Sequence, residues 1–436
     1  MPKDRPNERL GERPTEQRQS EHKHARRDPR VDVMRGLALL MIFIDHVQGN
    51  VLGFTTLHMF GLSDAAEVFV MLSGFSSMAA YGQIFENKGA RAGLLRVGER
   101  CLRIYLFQAG LLVAAYLLIT AWAEHYYVLI PELIPFMNGG AQVVKHGLTL
   151  RALPAKLDIL PLYILLFSCF PVIYLFMRWS MALTVAASGG LWLWANLDPS
   201  LNLTNHMDGT GWFFDPFAWQ FIFVLGAAGY RAMRYYEGSL PYRWWLAAAC
   251  WGYLLFALLA LAPWYGWGLS DYRPYLVPSD KQHLSVLRLL DVLAMMYLAL
   301  SSQKFLQFAR LRVLAWIDAC GRHSLEVFSL GTLLAMAGSL VITSFGRAWP
   351  IQIAVNLFGF AALIGLALAM EAHRRRARQH VEKPAIVAPA PAEPTQLSQA
   401  TSCVAVTDME QNGAWSVSPA PAVHASAQPS LRHSSP

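Results

Sequence analysis

Charged residues are scarce in this sequence. Asp, Glu, Lys and Arg make up 15% of the 436 residues, and 55% of the residues are hydrophobic. Soluble domains carry about 25% charged residues, so the composition argues against an ordinary soluble protein. The apolar residues form repeated stretches of roughly 17–25 residues, the length that crosses a hydrocarbon core about 30 Å thick. The sequence therefore predicts a membrane protein.

Cysteine motifs and the signatures of soluble enzymes are also missing. The five cysteines lack CxxC spacing, which argues against a disulfide framework or a zinc site, and we predict no metal. The sequence has no P-loop, nucleophile elbow, HExxH motif or GxGxxG motif in a credible context. It also lacks the ladder of basic and aromatic residues typical of nucleic-acid-binding modules. We therefore expect no nucleic-acid partner and no bound cofactor.

The apolar stretches predict an all-α protein, a polytopic transmembrane helical bundle of about ten spans. The first span begins near Val33 and ends near Leu52, which is too long for a signal-peptide core. Residues 1–30 are polar and residues 373–436 are rich in Pro, Ala and Ser, so we expect both segments to be disordered. Residues 31–372 then form the transmembrane domain. The other spans are predicted at 65–85, 104–122, 157–177, 180–197, 217–231, 244–264, 284–301, 322–343 and 350–371.

Basic residues fall mainly in alternate connections between the predicted spans. Sixteen lie on one side, counting those that follow the last span, and six lie on the other side. Because cytoplasmic loops carry the excess of Lys and Arg, we predict that both termini are cytoplasmic. The expected location is a bacterial inner membrane, with membrane lipid as a partner.

Aromatic residues are frequent in the connections predicted to face the periplasm. Aromatic side chains at this depth usually mark the membrane interface. Stacking on a sugar is the functional alternative, and the sequence leaves both interpretations open. The candidate rings for sugar stacking are Trp212, Trp264, Tyr265 and Trp267.

The first predicted span carries ionisable residues on one face. Arg35 and His46 are eleven residues apart, which is close to three helical turns, so both project from the same face. The helical rise separates them by about 16 Å, with Arg35 near the cytoplasmic surface and His46 in the outer half of the membrane. Asp32 and Asp45 lie in the same span. Ionisable residues inside a span are costly and usually mark a functional interior.

The second predicted span adds a buried carboxylate. Asp64 and Glu67 share a face through i,i+3 spacing, and Ser73-Gly74 would permit close approach of another helix. The short connection between the first two spans makes them neighbours, which would bring Glu67 or Asp64 towards His46. A carboxylate beside an imidazole raises its basicity, as a general base for a hydroxyl requires. A structural polar network between two helices is the alternative.

Three further features have weaker spacing signals. Arg288 and Asp291 are spaced as a self-neutralising i,i+3 pair in the eighth span. Asp158 precedes an apolar stretch with a Pro, as a helix cap does. Arg322 and His323 open the ninth span on the cytoplasmic side, where they would either bind an anionic donor or anchor the helix at the interface.

Two segments of the chain resemble the membrane-bound acyltransferase-3 superfamily. The spacing of Arg35 and His46 matches its R-x10-H pattern, and AEVFVMLSGF at 66–75 resembles its second span. The closer resemblance is to the OpgC branch, and it covers about residues 28–372. The segments that carry it are RVDVMRGLAL at 30–39, FIDHV at 43–47, GNVL at 49–52, SDAAEVFV at 63–70, FDPFAWQ at 214–220 and GRHSLEVF at 321–328.

The resemblance implies an O-acyltransferase that succinylates a periplasmic glucan. The implied partners are a cytoplasmic acyl-CoA donor, succinyl-CoA, and a carbohydrate hydroxyl on the outer side. His46 matches the catalytic histidine, Arg35 matches its motif partner, and Asp45 and Glu67 are the implied supporting carboxylates. The superfamily often has Asp in place of Glu67, which changes the reach of that side chain. The predicted donor- and substrate-binding residues are Arg35, Arg322, His323, Asp64 and Asp215.

Two alternatives to this function remain open at the level of the sequence. The same buried charges would suit the proton relay of a transporter or flippase for a glycan or small solute, although the chain shows no convincing internal repeat of the transporter kind. A membrane scaffold without catalysis is the other. Within the enzyme hypothesis, direct transfer and a covalent acyl-imidazole are both chemically consistent with a histidine.

Overall fold

The computed structural model describes residues 28–126, 134–207, 209–272 and 278–382. Most of the predicted N-terminal extension, and the predicted C-terminal tail from 383 onwards, lie outside these residues. The described residues differ from the predicted boundaries at two points. Pro29 begins the first helix and Arg30 is fully buried, and the last helix continues to Glu382, ten residues beyond the predicted end of the membrane domain.

Helices make up about four fifths of the described residues, which contain no strand beyond a single bridged residue pair, Thr204 and Gly211. The α-helices are α1 Pro29–His46, α2 Ala65–Ser77, α3 Gln83–Ala123, α4 Ile134–Leu148, α5 Ile159–Trp179, α6 Met181–Leu197, α7 Pro216–Tyr235, α8 Trp244–Leu261, α9 Pro263–Gly266, α10 Val286–Ser301, α11 Gln303–Ala309, α12 Ala315–Arg322, α13 Ser324–Phe345 and α14 Trp349–Glu382. A π-helical turn, Met78–Gly82, joins α2 to α3. The all-α class predicted from the sequence is confirmed.

Five helical segments of the described chain are long and apolar enough to cross a membrane, and a sixth qualifies if α10 and α11, bent by 80°, form one span. The predicted number of about ten spans is not confirmed. Some of the predicted spans are too charged or too short to count. Helix α1 carries four charged residues, Arg30, Asp32, Arg35 and Asp45, and α6 has only 17 residues. The five segments are Ala65–Ala123, Ile159–Trp179, Trp244–Gly266, Ser324–Phe345 and Trp349–Ala377.

The segment Ala65–Ala123 reverses direction at Gly89. Gly89 has φ 82°, which interrupts α3. Before this residue, the chain runs parallel to α5, because Phe69 contacts Tyr163 and, further on, the Phe85 ring stacks on Tyr174 near the end of α5 at 4.8 Å between centroids. After it, Gln108 donates to the carbonyl of Leu157, just before α5 begins. A later residue therefore contacts the opposite end of α5, as expected for two antiparallel arms.

Helices α2 and α7 cross at glycines. A Cβ added to Gly74 would overlap the carbonyl oxygen of Phe223, and one added to Gly226 would overlap that of Met71. Small residues at such a crossing let two backbones approach closely. The close approach predicted at Ser73-Gly74 is confirmed, and it fixes the helix that carries Glu67.

Helix α1 is enclosed by other helices. It packs against α2, α12 and α13, and Val33 and Phe43 on it are almost completely buried. Gly321 of α12 lies so close to the Asp32 carbonyl that a Cβ there would overlap it. The residues of α1 therefore face protein on several sides.

The buried Arg30 holds one end of the bundle together. Its guanidinium donates to the carbonyl of Leu300 at 2.7 Å and to that of Gly238 at 2.9 Å, and it pairs with Asp28 at 2.7 Å. We call this the Arg30 end. The opposite end, where His46 closes α1, is called the His46 end. The predicted cytoplasmic connection that contains Gly238 and the end of the predicted span 284–301, which contains Leu300, meet at the Arg30 end. The side of the membrane that each end faces stays a prediction.

Candidate active site

Helix α1 places Arg35 in the interior and His46 at the wall of a cavity. The Arg35 guanidinium is buried and donates to the Leu72 carbonyl at 2.8 Å and to the Ser76 hydroxyl at 2.6 Å. His46 is the last residue of α1 and lines a cavity at the His46 end. The stripe predicted from the eleven-residue spacing thus faces protein, as a functional interior requires.

The cavity beside His46, which we call the His46 cavity, has a volume of about 280 Å³. Its wall combines carboxylates, amines and aromatic rings. Pockets of this kind, with a few convergent polar groups on an otherwise apolar wall, are typical of small-molecule sites. The lining residues are Ile42, Asp45, His46, Asp64, Ala65, Ala66, Ala155, Lys156, Asp158, Ile159, Phe213, Phe214, Lys281 and Phe328.

The backbone of His46 is held more firmly than its side chain. Its carbonyl accepts from the Lys156 amine at 3.0 Å and from the Ser339 hydroxyl at 3.3 Å. The imidazole Nδ1 is buried and has no hydrogen-bond partner among the described residues. The predicted hydrogen bond from this imidazole to a carboxylate is therefore not formed, because Asp45, Asp64 and Glu67 have other partners. Because Nδ1 is buried, the ring nitrogen that can meet a substrate proton is Nε2.

Asp45 pairs with the 3₁₀ segment that follows α1. Its Oδ1 accepts from the Thr56 hydroxyl at 2.5 Å and lies 3.3 Å from Nδ1 of His58. The hydrogen bond to Asp45 raises the pKa of His58 above its ordinary value. Asp45 thus lines the cavity while supporting His58, a residue that the sequence analysis did not single out.

Asp64 and Glu67 form a four-charge cluster with two basic residues. They make a capping box at the start of α2. The Arg288 Nε donates to Glu67 at 2.6 Å, its terminal nitrogen donates to Asp64 at 3.1 Å, and the Lys281 amine donates to Asp64 at 2.5 Å. Two acidic and two basic groups neutralise one another, and Lys281 and Asp64 carry the cluster to the cavity wall.

The cluster keeps Asp64 and Lys281 ionised. Burial alone would raise the pKa of Asp64, but the charges of Lys281 and Arg288 outweigh burial and hold that pKa well below its ordinary value. Burial would lower the pKa of Lys281, and the charges of Asp64 and Glu67 raise it instead. The cavity therefore presents a fixed carboxylate and a fixed ammonium group.

The predicted pairing of Arg288 with Asp291 is wrong. Arg288 reaches Glu67 and Asp64, one helix away, whereas Asp291 accepts from the Ser63 hydroxyl at 2.6 Å and from the Ser63 amide at 3.1 Å. Opposite charges on neighbouring helices outcompete the i,i+3 partner, because a buried carboxylate needs a donor.

Asp158 and Asp215 have different surroundings from those predicted. Asp158 precedes α5 without a side-chain cap bond and lines the His46 cavity. Asp215 is fully buried and caps α7 by accepting from the Phe217 amide at 2.9 Å. It does not line the cavity, although its neighbours Phe213 and Phe214 do. Burial raises the pKa of Asp215 to about 6, and its predicted binding role stays a prediction.

Arg322 and His323 lie at the junction of α12 and α13, next to the contact of α12 with Asp32. Asp32 is near the start of α1, so both residues are far from His46 at the end of that helix. Arg322 pairs with Asp318 at 2.7 Å and with Glu371 at 3.1 Å. His323 Nε2 lies 3.4 Å from the same Glu371 carboxylate. Neither residue lines the His46 cavity. Because Asp318 and Glu371 already neutralise Arg322, its charge is less available to the predicted acyl donor. The spacing of residues in the sequence did not predict Glu371 as its partner.

A second, smaller cavity of about 30 Å³ lies beside the first, and we call it the Ser73 cavity. It contains Arg100, which the sequence analysis counted only as an orientation charge. Likewise, Lys281 was counted there only as one of the few basic residues on the outer side. No spacing signal could have found either role, since each depends on how distant helices assemble. The lining residues are Phe69, Ser73, Arg100, Ile104, Leu160, Tyr163, Phe167, Ser324, Leu325 and Phe328.

Comparison with known families identifies the chain. The sequence model of the OpgC protein family matches residues 27–375, which include every residue of both cavities. The chain belongs to the OpgC family. The resemblance inferred from the motifs is thereby confirmed, and membership indicates a membrane-associated, acyltransferase-like function. No curated protein and no solved structure matches this OpgC-family chain.

Proposed function

We propose that this OpgC-family protein is a transmembrane O-acyltransferase. In this proposal it moves an acyl group, such as succinyl, from cytoplasmic acyl-CoA to a hydroxyl of a periplasmic glucan or a related carbohydrate. The observation that carries the proposal is the single stripe of α1, on which a buried Arg35 lies inward of an imidazole that lines a charged cavity. The protein would act in a bacterial inner membrane, with the Arg30 end towards the cytoplasm.

His46 is the proposed general base. Its imidazole takes the proton from the acceptor hydroxyl, whose oxygen attacks the thioester carbon of the donor. The new C–O ester bond forms, the C–S bond breaks, and the proton passes from the imidazole to the departing CoA thiolate. Proton transfer of this kind contributes about 10²- to 10⁴-fold to a rate. Direct transfer needs only these groups, so we favour it over an acyl-imidazole.

Lys281 is the proposed stabiliser of the tetrahedral intermediate. Its ammonium group lies in the wall of the His46 cavity, where Asp64 and Glu67 keep it charged. Fixed positive charge in a site that excludes water favours a developing oxyanion. The polar wall and the Phe213 ring, which is half exposed, suit a sugar. The carboxylates accept hydrogen bonds from its hydroxyl groups, and the ring packs on its C–H face.

His46→Ala tests the base directly. We expect this variant to lose acyl transfer to a soluble glucose oligomer by about 10²-fold or more, while its amount in the membrane is unchanged. His125→Ala is the matched control, since His125 is exposed and lines neither cavity. Purified protein in liposomes, supplied with succinyl-CoA, gives the measurement as CoA release and ester formation. Full activity of His46→Ala would exclude this base, and coupled solute uptake without CoA release would favour a transporter.

A further inference from the structure

The two cavities share one lining side chain. Phe328 lines both of them, and their linings share no other residue among the described parts of the chain. The Phe328 side chain is buried, with 3% of its surface exposed. The ring is therefore a wall between two spaces and contributes to neither a lipid-facing nor a solvent-facing surface.

The cavities follow one another along the same helices. On α2, Ala65 and Ala66 line the His46 cavity, and Phe69 and Ser73 line the Ser73 cavity one and two turns further on. Helix α5 repeats the pattern, with Ile159 on the first cavity and Tyr163 on the second. Both helices begin at the His46 end, so the Ser73 cavity lies on the Arg30 side of His46.

A second ring supports the wall. Phe69 stacks on Phe328 with 6.2 Å between the ring centroids and 22° between their planes, and it meets Tyr163 edge to face at 5.8 Å. The Ser73 cavity behind these rings is not purely apolar, because Ser73, Arg100 and Tyr163 contribute to it. At about 30 Å³ it holds roughly one water molecule. An acyl-carrying chain can occupy it only after the rings have moved.

We propose that Phe328 is the partition across the route of the acyl donor. This inference rests on the proposed function, since it requires a thioester that enters from the Arg30 end and reacts at His46. The flexible arm of the donor enters the Ser73 cavity, displaces the Phe328 ring, and delivers the thioester to the His46 cavity. When no donor is present, the stacked rings close the route and keep acceptor-side water from the donor side.

Phe328→Trp tests the route with two donors. Proteoliposomes hold succinyl-CoA in the lumen in one arm of the experiment. In the other arm, the short thioester succinyl-N-acetylcysteamine is added outside. A glucose oligomer is supplied only outside, so only molecules with the His46 end facing outwards contribute. The larger ring should lower transfer from succinyl-CoA at least about tenfold more than transfer from the short thioester, because the short donor reaches His46 without passing the partition.

Phe328→Ala gives the opposite change. Removing the ring joins the two cavities, so Phe328→Ala should keep severalfold more transfer from succinyl-CoA than Phe328→Trp, and CoA release without acceptor should increase severalfold. Phe170→Ala is the matched control for the lost packing, because Phe170 is equally buried and lines neither cavity. This control should show no increase in CoA release.

The outcomes separate the inference from the function on which it rests. Equal losses with both donors in Phe328→Trp, or equal losses from succinyl-CoA in the Trp and Ala variants, would make Phe328 a structural residue and overturn the partition. No loss in Phe328→Trp would overturn it as well. A wild-type protein that uses neither donor would instead remove the proposed function, and the partition with it.

Discussion

The buried charged residues of the site depend on neighbours of opposite charge. Glu67 is completely buried, and its carboxylate is stabilised there by Arg288, whose Nε lies 2.6 Å away. A buried carboxylate that loses its cation is strongly destabilising, whereas neutralising both partners together costs far less. The four-charge cluster therefore supports the wall of the His46 cavity only while its charges are balanced.

Arg288→Met should destabilise the protein by about 3–5 kcal/mol, because it leaves Glu67 buried without its cation. Adding Glu67→Gln to this variant should restore part of the loss, since the amide carries no charge. Thermal unfolding of the purified protein in detergent measures both changes. If the double variant were less stable than Arg288→Met, the charge balance would not be the reason for the effect.

The pairing of His58 with Asp45 predicts a pH dependence. The folded pKa of His58 lies above its ordinary value of 6.5 through the hydrogen bond to Asp45. The stability that protonated His58 contributes is therefore fully present below pH 6.5 and is lost as the pH rises through the raised folded pKa. Asp45→Asn removes the charge, so His58 should titrate at a lower pH in this variant.

An NMR titration of imidazole-labelled protein measures this shift. The wild-type protein, titrated under the same conditions, is the control. If His58 titrated at the same pH with and without the Asp45 carboxylate, the ion pair between His58 and Asp45 would be refuted.

At the scale of helices, the close crossing of α2 and α7 sets the position of the site. Gly74→Ala places a methyl group on the carbonyl oxygen of Phe223. This oxygen belongs to the backbone of α7, which cannot move aside as easily as a flexible side chain. We expect a loss of roughly 1–3 kcal/mol in stability, together with reduced activity, because α2 carries both Asp64 and Glu67.

Gly252→Ala is the matched control for that substitution. Gly252 lies in α8 with open space around the position of a Cβ, so alanine there should stabilise the helix by about 0.5–1 kcal/mol. Thermal unfolding compares the two variants. Equal effects at both positions would mean that helix propensity, and not the crossing, determines the result.

Over the whole molecule, local sequence patterns predicted the helices and the Arg35–His46 stripe on α1, because helical periodicity depends only on residues close together in the sequence. The spacing of Arg35 and His46 sufficed to place both on one interior face. The spacing of Arg288 and Asp291 misled, because the true partner of Arg288, Glu67, is 221 residues away in the sequence. Likewise, the roles of Lys281 and Phe328 depend on which helices meet, and no single segment contains that information.

Transmembrane O-acyl transfer is tested most directly by following the acyl group across a bilayer that contains the wild-type protein. Isotope-labelled succinyl-CoA is enclosed in proteoliposomes, a glucose oligomer is placed outside, and mass spectrometry follows the label. We expect labelled ester on the external oligomer, with one CoA released in the lumen per ester formed. Label that stays in the lumen, while liposomes remain intact and the protein folded, would contradict this expectation.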